Sequence, residues 1–307
     1  MSVLLFFIDG LGIGTRGPQN PLDGLDDAEP LAIFRDETEE TSQQTIETIH
    51  NGIVVPTDAT LGVEGRPQSA SGQTTILTGI NAPALLGYHK QGFPNAAMLE
   101  IIRDHSIFLQ LSRAGVFPIT FANTYTQRFF DERPRWVSAT TAAVEAAGIP
   151  FRRVADLKAG RAVYQDFTNA ALIERGEDVQ PRTADEAASV LASIVSENQF
   201  TLYEYFITDK VGHAQDMQAA RRVLTNLARL IRGVLTQIDL SRTSVILTSD
   251  HGNIEDLSSR NHTLNPVPTI VWGRDQNRIA SRIKTLADIV PAIVETLTAK
   301  AVAADTV

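Results

Sequence analysis

Asp250 and His251 stand together just after the short apolar run Ser244-Val245-Ile246-Leu247, and His262 follows eleven residues after His251. A carboxylate and imidazoles at that spacing offer the oxygen and nitrogen donors that hold a divalent metal. Two more apolar runs end in the same way. Met1 to Ile8 leads into Asp9-Gly10-Leu11-Gly12, and Leu202 to Ile207 leads into Thr208-Asp209-Lys210-Val211-Gly212-His213. Each run is short and bounded by polar residues, so each reads as a buried strand. Parallel strands gather such ends at one edge of a sheet, where open α/β proteins build their sites.

Of six histidines, His213, His251 and His262 fall in these clusters, whereas His50, His89 and His105 do not and read as surface or packing residues. Asp9, Asp209, Asp250, His213, His251 and His262 make a set of three carboxylates and three imidazoles. A catalytic zinc takes three protein ligands and keeps one open position. Six ligands therefore suit a pair of ions, which in two-metal sites lie ~3.5–4 Å apart. The absence of cysteine excludes thiolate ligands and disulfides, so Mn or Zn is expected, with Mg or Fe compatible. A single Asp after a strand is as often a helix cap as a ligand. Three such clusters in one chain favour the metal.

Small hydroxyl residues crowd the segment Arg66-Pro67-Gln68-Ser69-Ala70-Ser71-Gly72-Gln73-Thr74-Thr75-Ile76-Leu77-Thr78-Gly79. Its pattern reads as the start of a helix closed by Gly79. A hydroxyl at a helix N-terminus sits beside unpaired N–H groups and the positive end of the dipole, which favour a phosphate or sulfate. Metal contact would lower the cost of the alkoxide, so no separate base is required.

Taken in order, these segments resemble the alkaline phosphatase superfamily, and most closely its branch containing cofactor-independent phosphoglycerate mutase. That branch carries Asp-Gly near its N-terminus, then Asn-Ser-Glu-Val-Gly-His, Asp-Met-Val-Gly-His, Asp-His-Gly-Asn and His-Thr-Thr-Asn-Pro-Val-Pro. Here the counterparts are Asp9-Gly10, Gln68 to Gln73, Asp209 to His213, Asp250-His251-Gly252-Asn253 and His262-Thr263-Leu264-Asn265-Pro266-Val267-Pro268. The resemblance implies that Ser69 is the nucleophile that takes the phosphoryl group. It also implies that Asp9, Ser69, Asp250 and His251 hold one ion, and Asp209, His213 and His262 the other. The implied fold is a three-layer α/β/α core around a mostly parallel sheet, and the alternation of strand and helix patterns gives the same class.

Two departures bear on activity. Ala70 and Gln73 replace the acidic and imidazole residues of the mutase nucleophile motif, and only 140 positions separate Ser69 from Asp209, too few for the mutase's large arginine-rich insertion. Arg128, Arg133, Arg135, Arg152 and Arg153 are the guanidiniums available for a smaller phosphate clamp, although surface charge accounts for most of them. The expected activity is that of a phosphatase or phosphoesterase with a Ser nucleophile and two divalent metals. The alternatives are a phosphomutase acting on a small phosphorylated metabolite, and a metal-binding relative without turnover. Phosphodiesters and sulfate esters also suit such a metal pair.

The elements that must position these residues follow from pattern and composition. Residues 1–124 and 183–307 are expected to form the metal-binding core, with 125–182 as a small cap or insertion. Arg16 to Glu40 reads as a long loop whose acidic residues (Asp23, Asp26, Asp27, Asp36) are solvated. Met98 to Ala114 is expected to be helical and Val116 to Ala122 to be a strand. Thr183-Ala184-Asp185-Glu186 is a capping box opening a helix to about Ser196. Gln215 to Leu235 and Leu286 to Leu297 read as amphipathic helices, and Ala301 to Val307 as a frayed tail. With 43% hydrophobic and 21% charged residues the chain is an ordinary soluble protein. Its net charge of -9 argues against a nucleic-acid partner, so the expected partner is a small phosphorylated substrate drawn by local metals. No stretch is long enough to span a bilayer, and the Val3 to Ile8 run lacks the basic flank of a signal peptide, so a cytoplasmic location is expected.

Overall fold

The computed structural model of the chain describes residues 1–35, 46–47 and 51–299. Asp36, His50 and the tail Ala301 to Val307 lie outside the described residues.

The described residues form nine strands: β1 (Ser2–Ile8), β2 (Ile46–Glu47), β3 (Ile53–Thr57), β4 (Ile119–Phe121), β5 (Thr124–Tyr125), β6 (Arg152–Arg153), β7 (Phe200–Tyr205), β8 (Thr243–Ser249) and β9 (Val267–Gly273). Seven form one sheet in the order β2-β3-β9-β8-β1-β7-β4, while β5 and β6 pair separately. The central four, β8-β1-β7-β4, are mutually parallel, and β9 runs antiparallel beside β8. The register pairs Ile8 with Tyr205 on one side and with Ser249 on the other. Asp9, the turn before Asp209, and Asp250 therefore leave the sheet at the same edge.

The uninterrupted apolar character of β1 reflects burial on both faces. Leu4, Phe6 and Ile8 join one core cluster with the helices Ala184–Glu197 and Met217–Gln237. Val3, Leu5 and Phe7 face the other way, into a cluster with the helices Ser69–Thr78, Ile107–Arg113 and Ile289–Thr298. Helices thus cover both faces of a mostly parallel sheet, the α/β architecture expected. Each of these side chains contributes about 1.5–3 kcal/mol by leaving water.

Several element boundaries differ from the sequence reading for local reasons. The stretch 98–114 forms two helices, Ala96–His105 and Ile107–Arg113, because Ser106 caps the second by accepting from Leu109 N–H. The strand read over 116–122 is confined to Ile119–Phe121: Val116 N–H is spent on Leu111 C=O at the helix end, and Pro118 has no N–H to give a ladder. Gln215 takes a left-handed conformation (φ 56°), which ends one helix at Ala214. Asp216 then caps the next, so the long amphipathic helix begins at Met217. Thr183 and Glu186 form the capping box at the head of Ala184–Glu197.

Within 125–182, the helix Ala139–Ala146 sends Ala139, Ala143 and Val144 into the second core cluster. Its small side chains allow close approach to the sheet-covering layer. Residues further on make a minor core of their own from Leu157, Ala162, Tyr164, Leu172 and Val179. In the 16–35 loop, Asp23 pairs with Arg16 at 3.1 Å and the exposed Asp27 with Arg229 at 3.4 Å. No helix among the described residues is long and apolar enough to cross a membrane.

Candidate metal centre

The three strand ends and the Ser69 helix meet at one point. Asp9 follows β1 directly, and Asp250 and His251 follow β8. Asp209 and His213 lie on the helix Ile207–Ala214, one turn apart, so both project from the same face. His262 comes from the loop before β9. Gly10, at φ 73°, is required between Asp9 and Asp209, because a Cβ there would stand 2.9 Å from the Asp209 backbone. Gly72 lets the Ser69 helix close on the Asp250 turn, where a Cβ would lie 2.9 Å from Asp250 Cβ.

The residues sort into two overlapping groups. Asp209, His213 and His262 can each aim a donor atom at one point, and so can Asp9, Asp209 and His251. In the first, His213 Nε2 lies 3.3 Å from Asp209 Oδ2 and 3.3 Å from His262 Nε2. In the second, His251 Nε2 lies 3.3 Å from Asp9 Oδ1, 3.4 Å from Asp250 Oδ2 and 3.0 Å from Ser69 Oγ. The resemblance assigned Asp209 to one ion alone. In the structure its carboxylate lies within both groups and links them.

Tautomers are set from outside the ring cluster. His262 Nδ1 is 2.8 Å from Pro67 C=O, and His213 Nδ1 is 2.6 Å from Arg260 C=O. Each Nδ1–H donates to its carbonyl, which leaves the Nε2 lone pairs facing inward. His251 Nδ1 has no hydrogen-bond partner; that ring is held by stacking on His262, with centroids 3.6 Å and planes 11° apart.

Burial and like charge govern the electrostatics. Asp9 is pushed well above the usual carboxylate range, first by burial and then by Asp250, Asp209 and Glu204. Asp250 rises to about 8 through burial and the Asp209 charge, partly offset by hydrogen bonds from Gly10 N–H and the Gln73 amide. His251 falls well below its usual value, by burial and then by His262. His262 is also lowered by burial, against the Pro67 bond and the Asp209 charge that raise it.

This donor set fits divalent metal. Asp9 Oδ1 is buried and accepts no hydrogen bond, and neutral imidazole nitrogens converge on carboxylates that cannot all ionise in one another's company. Divalent cations would resolve both conditions.

Four supporting residues have no assigned role in the sequence reading. Glu255, buried behind the site, accepts from Gly12 N–H (2.9 Å), Asn253 N–H (2.7 Å), Thr263 Oγ1 (2.5 Å) and Asn265 Nδ2 (3.0 Å). It thereby ties together the loops that carry Asp9, His251 and His262. Asn253 donates its amide to Asp209 Oδ1 at 2.8 Å. Gln73, noted only as a replacement, donates towards Asp9 Oδ2 at 3.5 Å and Asp250 Oδ2 at 3.3 Å. Glu204, at the buried end of β7, accepts from Thr140 Oγ1 and rises to about 8 through burial, with Asp250 adding to the shift.

The guanidiniums considered for a clamp are occupied elsewhere. Arg128 pairs with Glu132 at 2.7 Å, and Arg133 with Glu145 at 2.5 Å. Arg152 donates to Thr120 Oγ1, Arg153 lies over the Phe130 ring, and Arg135 over Trp136. His89 packs with Nε2 3.2 Å from Val63 C=O, and His105 ends its helix.

A sequence profile described as the Metalloenzyme superfamily matches residues 1–301. The chain belongs to this superfamily. Its relatives include 2,3-bisphosphoglycerate-independent phosphoglycerate mutase of Dinoroseobacter shibae, 30% identical over 125 residues, which are 38% of this chain and 25% of the mutase. The mutase of Ehrlichia ruminantium is 28% identical over 131 residues, 40% of this chain and 26% of its own length. The matched stretch thus spans about a quarter of these curated relatives. Among solved structures, a cold-active alkaline phosphatase from Shewanella sp. superposes with a TM-score of 0.53 at 13% identity, covering 97% of this chain and 100% of that one. A Pyrococcus horikoshii protein gives 0.50 at 16% identity, covering 97% of each chain. Likeness at these identities establishes the shared fold of this metalloenzyme.

Proposed function

We propose that this metalloenzyme is a phosphomonoester hydrolase in which Ser69 carries the phosphoryl group between ester and water. The observation that supports this reading most directly is the placement of Ser69 Oγ, 3.0 Å from His251 Nε2, at the first position of a helix. The preceding Gln68 makes no side-chain bond to that helix's first turn. Of the first-turn N–H groups, that of Ser71 is spent on the Lys90 carbonyl, which leaves those of Ser69 and Ala70 for phosphoryl oxygens.

Asp209, His213 and His262 would hold one divalent ion, and Asp9, Asp250 and His251 with Ser69 the other, with the Asp209 carboxylate within reach of both. When bound, the ions supply the positive charge that stabilises the serine alkoxide and the phosphoryl oxygens. Ser69 Oγ, its proton given up to solvent, then forms the bond to phosphorus as the bond to the ester oxygen breaks, and the departing alkoxide takes a proton from solvent to leave as the alcohol. Water opens the phosphoserine in a second displacement, releasing phosphate and restoring the hydroxyl. The Ser69 helix fixes the direction of attack, and Asn253 and Gln73 keep Asp209, Asp9 and Asp250 in place.

Phosphate release from 4-nitrophenyl phosphate by protein stripped of metal and reloaded with Mn or Zn tests this reading. Metal-dependent release that Ser69→Ala abolishes supports it. Return of the phosphoryl group to the organic product, without free phosphate, would make the chain a phosphomutase.

A further inference from the structure

A cleft of about 620 Å³ opens at the same sheet edge as the metal-type residues, within the size range of small-molecule sites. Its floor is the C-terminal end of β4 and β7, where it meets Asn123, Glu204 and Phe206. β7 pairs with β1 along its length, and Asp9 emerges from β1 at that same end. The cleft therefore begins about one strand spacing, ~4.8 Å, from the strand that delivers Asp9.

Two of its lining residues are tied to the proposed catalytic elements. Phe206 precedes Asp209 by three residues and packs edge-on against Phe7, with centroids 6.4 Å apart. Phe93, also in the lining, follows Lys90 by three residues, and the Lys90 carbonyl accepts Ser71 N–H from the Ser69 helix at 3.1 Å.

The lining sets seven aromatic rings among polar side chains. Phe129 and Tyr125 stack edge-to-face at 4.7 Å inside it, and Phe93 and Trp136 line it while remaining 48% and 54% exposed. Arg135 lies over the Trp136 ring, 5.0 Å from its centroid, which holds the indole in place. Charge in the cleft is of both signs: Arg128 pairs with Glu132, Arg175 donates to Tyr164 Oη at 3.2 Å, and Glu177 and Glu204 also line the wall, so no single sign prevails. Such a surface rewards a flat, neutral ring more than a second anionic group.

From this lining we infer that the cleft takes the leaving group of the substrate, and that this group carries a planar aromatic or heteroaromatic ring. The inference rests on the phosphatase reading for the placement of the ester at Ser69. The ring would lie among Phe93, Phe129 and Trp136 while the phosphoryl group reaches Ser69.

The Mn-loaded protein would be assayed with benzyl phosphate and ethyl phosphate, whose alcohols are comparably poor leaving groups. A naphthylmethylphosphonate, which cannot be hydrolysed, would be titrated in parallel while Trp fluorescence is recorded. Trp272 is fully buried, so quenching reports Trp136 and is lost in Trp136→Phe. The expected result is a preference for benzyl phosphate of roughly tenfold or more in kcat/KM, which Trp136→Ala or Phe93→Ala lowers about fivefold, chiefly through KM. Saturable quenching by the phosphonate accompanies it. Hydrolysis of both esters with no preference, or with a preference both variants retain, overturns the inference. So does turnover without quenching. If neither ester is hydrolysed yet the phosphonate quenches Trp136, the cleft assignment stands and the phosphatase reading fails.

Discussion

His213 and His262 face each other through Nε2 at 3.3 Å, and each has its Nδ1 committed to a backbone carbonyl. Two inward lone pairs at that distance repel unless a cation lies between them. His262→Ala should therefore remove one of two bound ions per chain, counted by elemental analysis after dialysis. Metal at a hundred times its dissociation constant should stabilise the wild-type protein by about 2.7 kcal/mol, read as a rise in melting temperature. Retention of both ions by the variant would contradict the assignment.

Asp250 sets a pH dependence. Its folded value of about 8 lies above the ~3.9 of an unfolded aspartate, so the metal-free fold binds this proton more tightly than the unfolded chain does. The associated stability is fully present below pH ~4 and is lost as pH rises through about 8. Glu204, also raised to about 8, acts in the same direction. Metal reverses this trend, because binding expels the proton. Denaturation midpoints of the metal-free protein should fall between pH 5 and 8, while calorimetry in buffers of different ionisation enthalpy shows proton release on metal binding that diminishes towards pH 9.

Glu255→Gln should weaken the centre without touching a ligand. The carboxylate accepts four hydrogen bonds from three loops, and an amide must turn an N–H towards some of those donors. A loss of about 1–3 kcal/mol in stability and roughly 10–100-fold in metal affinity is expected. Chemical denaturation and metal titration check the two effects separately.

Gln73→Leu removes the donor shared by Asp9 and Asp250. In the metal-free protein this should cost about 1–3 kcal/mol. Saturating metal should recover most of it, since the carboxylates then have ions as partners. Denaturation curves with and without metal distinguish this from a simple packing defect, which metal would not repair.

Much of the centre was legible because strand ends carry chemistry in a short window of sequence. Asp9, Asp209 and Asp250 each follow an apolar run, and parallel order alone brings them together. The sharing of Asp209 between two groups was not legible, since it depends on where a helix turn places one carboxylate in three dimensions. Glu255 was missed, and Asn253 was quoted in a motif without a role, for a related reason: both bridge loops distant in sequence. Gln73 stood out only as a departure from a motif, and its two carboxylate contacts depend on Gly72 letting the helix approach. The break at Ser106 was visible in principle, as a Ser placed to cap a new helix. The extent of β4 was set by the preceding helix end and Pro118. The aromatic cleft escaped notice because Phe93, Trp136 and Phe206 come from three separate segments without a common period.

The most direct test of the central claim is intact-mass analysis of the Mn-loaded protein quenched in acid during turnover of 4-nitrophenyl phosphate, beside Ser69→Ala. The account predicts one added phosphoryl group, mapped to Ser69 by fragmentation. It also predicts a variant that keeps both ions while its kcat/KM falls by at least ~10³-fold. Turnover by Ser69→Ala close to that of the wild type, or a phosphoryl group mapped to Ser71 or Thr74 instead, would contradict it.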